Sequence, residues 1–132
     1  MSVVIELPMP TSKLSANGRK KLHFREESKL TKQYRELAYV IALSLKRGDM
    51  PWEVSKVSTK FFFKTPTKEL GAKGTRRDQE NFMVAIKPYY DGLVDAGISI
   101  DDDWAHMKKV SPDLSGCDRK NPHVELTIER MQ

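Results

Sequence analysis

Residues Thr75–Trp104 read TRRDQENFMVAIKPYYDGLVDAGISIDDDW. Two arginines and an acid open the stretch, and three consecutive aspartates close it. Between them Phe82, Ile86, Tyr89 or Tyr90, and Leu93 recur at helical spacing, which predicts a helix from about Gln79 to Ala96. Pro88 falls inside that span. It lacks an N–H and crowds the preceding turn, so a kink or two short helices is expected there. Gly97 is placed to close the C-terminus.

Acids stand at both ends of this helix: Asp78 and Glu80 at its start, Asp101, Asp102 and Asp103 just past its end. Asp78 and Glu80 are two apart, which inside a helix would turn them about 200° from each other. They converge only if Asp78 precedes the helix as an N-cap. A helix of about 18 residues is roughly 27 Å long. For the two acidic ends to meet, the chain must fold back on itself. Carboxylates that do meet repel unless protonated or joined by a cation. Oxygen ligands of this kind suit Mg²⁺ or Mn²⁺. The plain alternative is an N-cap, a solvated acidic turn, and a Lys87–Asp91 pair on a helix surface.

Working outward, Val3, Ile5 and Leu7 alternate before Pro8 and Pro10, which reads as a short strand. A polar stretch rich in turn formers follows and carries Arg19, Lys20 and Lys21; it reads as a long loop. Leu30, Tyr34, Leu37, Ile41 and Leu45 form one apolar stripe, predicting a helix from about Ser28 to Arg47 that Gly48 and Pro51 stop. Val57, Thr59, Phe61 and Phe63 alternate as a strand. The next loop, TPTKELGAKGTRR, carries Lys73, Arg76 and Arg77. Residues 105–111 alternate weakly as a strand, PDLSGCDRKNP reads as a turn or loop, and Val124, Leu126 and Ile128 mark the last strand. The expected fold is α+β: one domain over residues 1–132, a mixed sheet with two helices on one face, in the order β-α-β-α-β-β.

At 132 residues there is room for one modest core. A net charge of +5 suits an anionic partner such as nucleic acid. The single cysteine, Cys117, cannot form an internal disulfide, which points to a reducing, cytoplasmic setting. Neither a signal peptide nor an apolar run of about 18 residues is present. Asp101–Asp103 do not begin an EF-hand, since Ala105 and His106 stand where an oxygen ligand and a glycine are required. His23, His106, His123 and Cys117 are too scattered for a zinc site. Phosphate-binding loops and nucleophile elbows are absent. Of Phe61, Phe62 and Phe63, two are expected in the core. Basic clusters at Arg19-Lys20-Lys21, Lys73-Arg76-Arg77 and Lys108-Lys109 give either a mixed surface or a phosphate-gripping rim about an acidic centre.

These motifs resemble the signature of the RusA-type endodeoxyribonucleases, Holliday junction resolvases often carried by prophages. That signature is an arginine-rich lead-in, D-x-D-N, a helix with a lysine and a D-x-L, and an A-G-x-x-x-D-D turn. Here it corresponds to Arg76-Arg77, Asp78-Gln79-Glu80-Asn81, Lys87, Asp91-Gly92-Leu93, and Ala96-Gly97 through Asp101-Asp102. IELPMPTSKLSAN and VELTIERM are similar to the two ends of such chains. The resemblance implies a small homodimer, bacterial or phage-encoded, that makes paired nicks in four-way DNA junctions with Mg²⁺ or Mn²⁺. It implies Asp78, Glu80 and Asp102 as metal-binding catalytic acids and Lys87 as the lysine that supports catalysis. Lys73, Arg76, Arg77, Arg19, Lys20 and Lys21 are then DNA contacts. Two departures stand out. Glu80 replaces the usual aspartate, adding a methylene that shifts a ligand by ~1 Å, a displacement that can cost ~100-fold in rate. Lys87 lies about three residues further on than in the shortest members, a rotation of ~300° on a helix. A DNA-binding module of the same fold that cuts weakly or not at all is the alternative.

Overall fold

The computed structural model describes residues 1–69, 71 and 73–131. In chain order it has β1 (Ser2–Pro8), a 3-10 turn (Ser12–Leu14), α1 (Ala16–Arg19), α2 (Phe24–Leu43), β2 (Val54–Phe63), α3 (Gln79–Ala85), α4 (Lys87–Asp95), β3 (Met107–Lys109), β4 (Asp113–Cys117) and β5 (His123–Met131). The α+β class holds. No helix among the described residues is long and apolar enough to cross a membrane.

Strand periodicity fixes which way the sheet faces. In β2, Ser55, Val57, Thr59, Phe61 and Phe63 are buried, while Lys56, Ser58 and Phe62 are half-buried and Lys60 is exposed. Two of the three phenylalanines are therefore core, as expected; Phe62 lies on the other face, stacked on His123 at 4.4 Å. Central β2 pairs antiparallel with β5, and β5 with β1. Along its far edge β2 pairs parallel, first with β3 and then with β4. β3 and β4 are two halves of one edge, interrupted near Pro112, which has no N–H to donate. The buried sheet face and the helices share one core that includes Val57, Phe61, Val124, Leu126, Ala38, Tyr89 and Leu93.

Several boundaries differ from the sequence reading, and three strands follow the second helical region where two were expected. β4 lies in PDLSGC, read as loop, because only Leu114 and Gly116 face inward and an alternation that short gives no period; pairing with β2 makes it a strand. The weak strand at 105–111 shrinks to Met107–Lys109. The loop after β1 contains the 3-10 turn and α1, capped by Thr11 and Ser15. The first long helix begins at Phe24, where His23 accepts from the Arg25 N–H and Glu26 and Glu27 meet the positive end of the dipole. It ends at Leu43, so Leu45, Lys46 and Arg47 lie beyond it. Leu70 and Ala72, in the stretch read as the loop before Arg76, lie outside the described residues.

The helical region divides as Pro88 requires. Ile86 is the junction, and Pro88 sits in the first turn of α4, where the missing N–H breaks no bond. Gly97 follows α4 at φ 79°, in the left-handed region that glycine tolerates. Its N–H bonds the Val94 carbonyl at 3.0 Å and the Ile98 N–H bonds Leu93 at 3.1 Å, completing a Schellman motif. α4 packs on α2 at Gly92, where a Cβ would stand 2.6 Å from Ala38 Cβ and 2.6 Å from the Arg35 carbonyl oxygen.

Helix propensity alone predicts that Gly92→Ala stabilises the protein by about 1 kcal/mol. The overlap with α2 predicts the opposite and outweighs it, by about 1–3 kcal/mol of overpacking. We expect a lower urea midpoint for this variant; an unchanged or higher midpoint would show that α2 and α4 are not in this close contact.

Candidate functional site

Asp78 is the N-cap of α3. Its backbone is extended (φ −113°, ψ 125°), and its carboxylate accepts from the Glu80 N–H at 3.0 Å. That cap removes the 200° conflict, because Asp78 is outside the helix. Asp78 and Glu80 are both exposed. Asp78 shares a depression of about 440 Å³ with Arg76, Arg77, Asn81 and Asn17.

Asp102 is carried in from the other direction. After Gly97 the chain runs beside the entry to β2: the Trp52 N–H bonds the Ile98 carbonyl at 2.9 Å, and the Ile100 N–H bonds the Trp52 carbonyl at 3.2 Å. The hydroxyls of Ser55 and Ser99 meet at 2.8 Å in the buried space between. This path leads back along α4 to its first residue. Lys87 Nζ donates to Asp102 Oδ2 at 2.5 Å and to Asp91 Oδ1 at 2.7 Å. Lys109 Nζ donates to the Asp102 carbonyl at 2.5 Å and stands 3.9 Å from its carboxylate.

Fold-back is thus real but partial. It spans α4, nine residues or roughly 13 Å, and brings Asp102 to Lys87 at the start of that helix. The expected trio of Asp78, Glu80 and Asp102 is not gathered as one metal-binding group. Among the described residues, the one set of three or more such side chains with ligand atoms all within 4.8 Å is Asp101, Asp103 and His106. There the His106 ring lies 2.6 Å from Asp103, whose carboxylate also accepts the His106 N–H. Carboxylate oxygens suit Mg²⁺ or Mn²⁺ chemically; as their side chains stand, the ligand atoms of Asp78, Glu80 and Asp102 do not all lie within 4.8 Å of one another.

Positive charge collects around Asp102. Arg19, Lys87 and Lys109 line a depression of about 450 Å³ whose floor is Met83, Val84 and Tyr90. Arg19 reaches it from the loop after β1. Its Nε donates to the Leu14 carbonyl at 2.9 Å and its guanidinium pairs with Glu27 at 2.5 Å. The loop is docked on α3, where the Asn17 N–H bonds Asn81 Oδ1 at 3.2 Å. Partial burial works against ionising Asp102, but hydrogen bonding to Lys87 and Asp91 and the charges of Lys87 and Lys109 hold its carboxyl at about 2. Burial pulls Lys87 down in turn, and its bonds to Asp102 and Asp91 outweigh that and lift its pKa.

The remaining predicted DNA contacts separate. Lys20, Lys21, Lys73 and Arg76 are exposed. Arg77 instead braces the loop before α3: it donates to the Thr65 carbonyl at 3.0 Å and to the Thr65 and Thr67 hydroxyls at 2.9 Å, and stacks 3.8 Å from the Phe63 ring centre. A depression of about 730 Å³ along α2 holds none of the predicted acids; the Arg19–Glu27 and Arg35–Asp95 pairs line it. The sequence reading gave Asp91 a supporting or surface role and grouped Lys109 with Lys108 as one of the basic clusters, but did not place Tyr90 beside Lys87 and Lys109. The Lys87–Asp91 spacing was visible, but the approach of Lys109 depends on β3 pairing with β2. No protein-family model matches this chain, and no curated protein matches it.

A carboxyl held low in the folded state stabilises it fully above the ordinary value of ~3.9 and loses that contribution as pH falls through about 2. We expect the Asp102 carboxyl carbon to titrate near 2 by NMR, and Lys87→Met to raise that midpoint toward ~3.9. A midpoint that does not move would mean Lys87 is not the partner that keeps Asp102 ionised.

Proposed function

We propose that this protein is a structure-selective DNA endonuclease that resolves four-way junctions by paired symmetric nicks, as a homodimer requiring Mg²⁺ or Mn²⁺. The reading rests on the resemblance along nearly the whole chain to the RusA-type enzymes. The single observation that carries it is Asp102, a carboxylate held ionised by its bond to Lys87, which lines a depression together with Arg19 and Lys109. Arg19, Lys87 and Lys109 would hold a phosphate there, with Lys20, Lys21, Lys73 and Arg76 extending the grip along the strand. Asp78 and Glu80 approach from α3. Because these acids do not surround one ion as they stand, no step is assigned to the metal. Two such sites related by a dyad make the paired nicks that one site cannot make in a single encounter.

A second reading, a junction-binding protein that cuts slowly or not at all, is favoured by the same lysine. The Lys87 ammonium already bridges Asp91 and Asp102, so the cation that neutralises this pair is part of the chain.

Incubation of a synthetic four-way junction with the protein and Mg²⁺ or Mn²⁺ tests both. The endonuclease reading expects symmetric nicks that Asp78→Asn and Asp102→Asn abolish. Failure of the wild-type protein to cut at any metal concentration sinks it. The second reading expects binding without nicks; with about six to ten phosphate contacts, affinity falls ~10³–10⁵-fold between 50 and 200 mM salt. Lys87→Ala separates them further: it removes cleavage if the lysine supports catalysis and increases it if the lysine blocks the acids.

A further inference from the structure

Trp104 has no role in the site described above. It is 83% exposed, more than any other large apolar side chain among the described residues, whereas Trp52 is 1% exposed. The indole offers an aromatic face to solvent, available for stacking. The ring is also held in place. Asp103 closes the turn behind it: its carboxylate accepts from the His106 N–H at 2.9 Å and its carbonyl from the Met107 N–H at 2.9 Å. Lys108 Nζ donates to the Trp104 carbonyl at 2.8 Å and lies 3.5 Å from the ring centre, against one face of the indole. Trp104 follows Asp102 by two residues, so their Cα atoms are at most ~7 Å apart.

We propose that Trp104 is a stacking platform for an unpaired or unstacked nucleobase beside Asp102. This inference rests on the endonuclease reading and supplies its selectivity for branched DNA. The neighbours of the indole decide the class of partner. The cation on its face is Lys108, and the charged residues Asp101 and Asp103 stand beside it in sequence. A protein interface needs roughly 1,000 Å² with an apolar centre. A nucleobase needs one aromatic face, and stacking is tolerant of which base it is. Lys108 on one face leaves the other for a base and puts an ammonium within reach of the adjoining phosphate. Duplex DNA keeps its bases stacked on one another; a branch point frees them. The platform therefore engages junctions and passes over uniform duplex.

The test uses the full-length protein, a four-way junction with 2-aminopurine at the branch point, and a duplex of the same arm sequence. Junction binding should quench the exposed indole and change the 2-aminopurine signal, while buried Trp52 provides the unquenched background. Trp104→Ala should weaken junction binding about 5- to 150-fold and leave duplex binding within about twofold. Trp104→Phe should retain most of the junction affinity, which a purely structural role for the turn would not predict. Wild-type affinity in Trp104→Ala overturns the proposal, as does an equal loss on junction and duplex; either result leaves the endonuclease reading standing if the protein still nicks. Loss of self-association in Trp104→Ala with DNA binding unchanged gives the ring to a second copy and also overturns it. A wild-type protein that binds no DNA removes both.

Discussion

The reversal of the chain at Gly97 is the constraint from which the arrangement of this molecule follows. A left-handed residue after α4 turns Ile98–Ile100 into a segment that runs beside Trp52 at the mouth of β2. From there the chain has one course, back along α4 and into β3. The aspartates of the turn thereby come level with the start of α4 instead of continuing past its end. The buried serine pair between Ser55 and Ser99 ties this return to the central strand. The position of Asp102 is set by the core as much as by its own loop.

Much of the fold was legible because it is periodic. Alternation marked β1, β2 and β5, and the stripe from Leu30 to Ile41 marked the long helix. Pro88 signalled a break, Asp78 a cap, and Gly97 a C-terminal turn, each by a local physical requirement. What stayed hidden lacks a local cause. β4 is a strand because β2 offers its edge to a segment with little pattern of its own. The helical turn at Ala16–Arg19 is stabilised by Ser15 and by docking on α3. For the site, the acids and Lys87 could be picked out individually, but how far the chain folds back could not. The answer depends on α4 being nine residues and on where the partner strand of β2 begins.

The charges of the site show the same dependence on tertiary placement. In sequence, Arg76 and Arg77 are equivalent neighbours; in the fold one is exposed and the other is committed to Thr65, Thr67 and Phe63. Lys108 and Lys109 are likewise adjacent and serve opposite sides of an edge strand. Lys109 reaches Asp102 and Tyr90, while Lys108 covers the Trp104 ring. Strand alternation gives the two lysines of a dibasic pair separate partners.

The interrupted edge formed by β3 and β4 has a bearing on how the protein avoids its own kind. A long, regular edge would present an uninterrupted row of N–H and C=O groups, a template for another chain. Here the row is three residues, a gap around Pro112, and five residues more. A strand added from outside would find too few partners in register on either side of the gap. The sheet is thereby closed to growth along that margin, so a second copy that paired strand to strand would have to do so at β1.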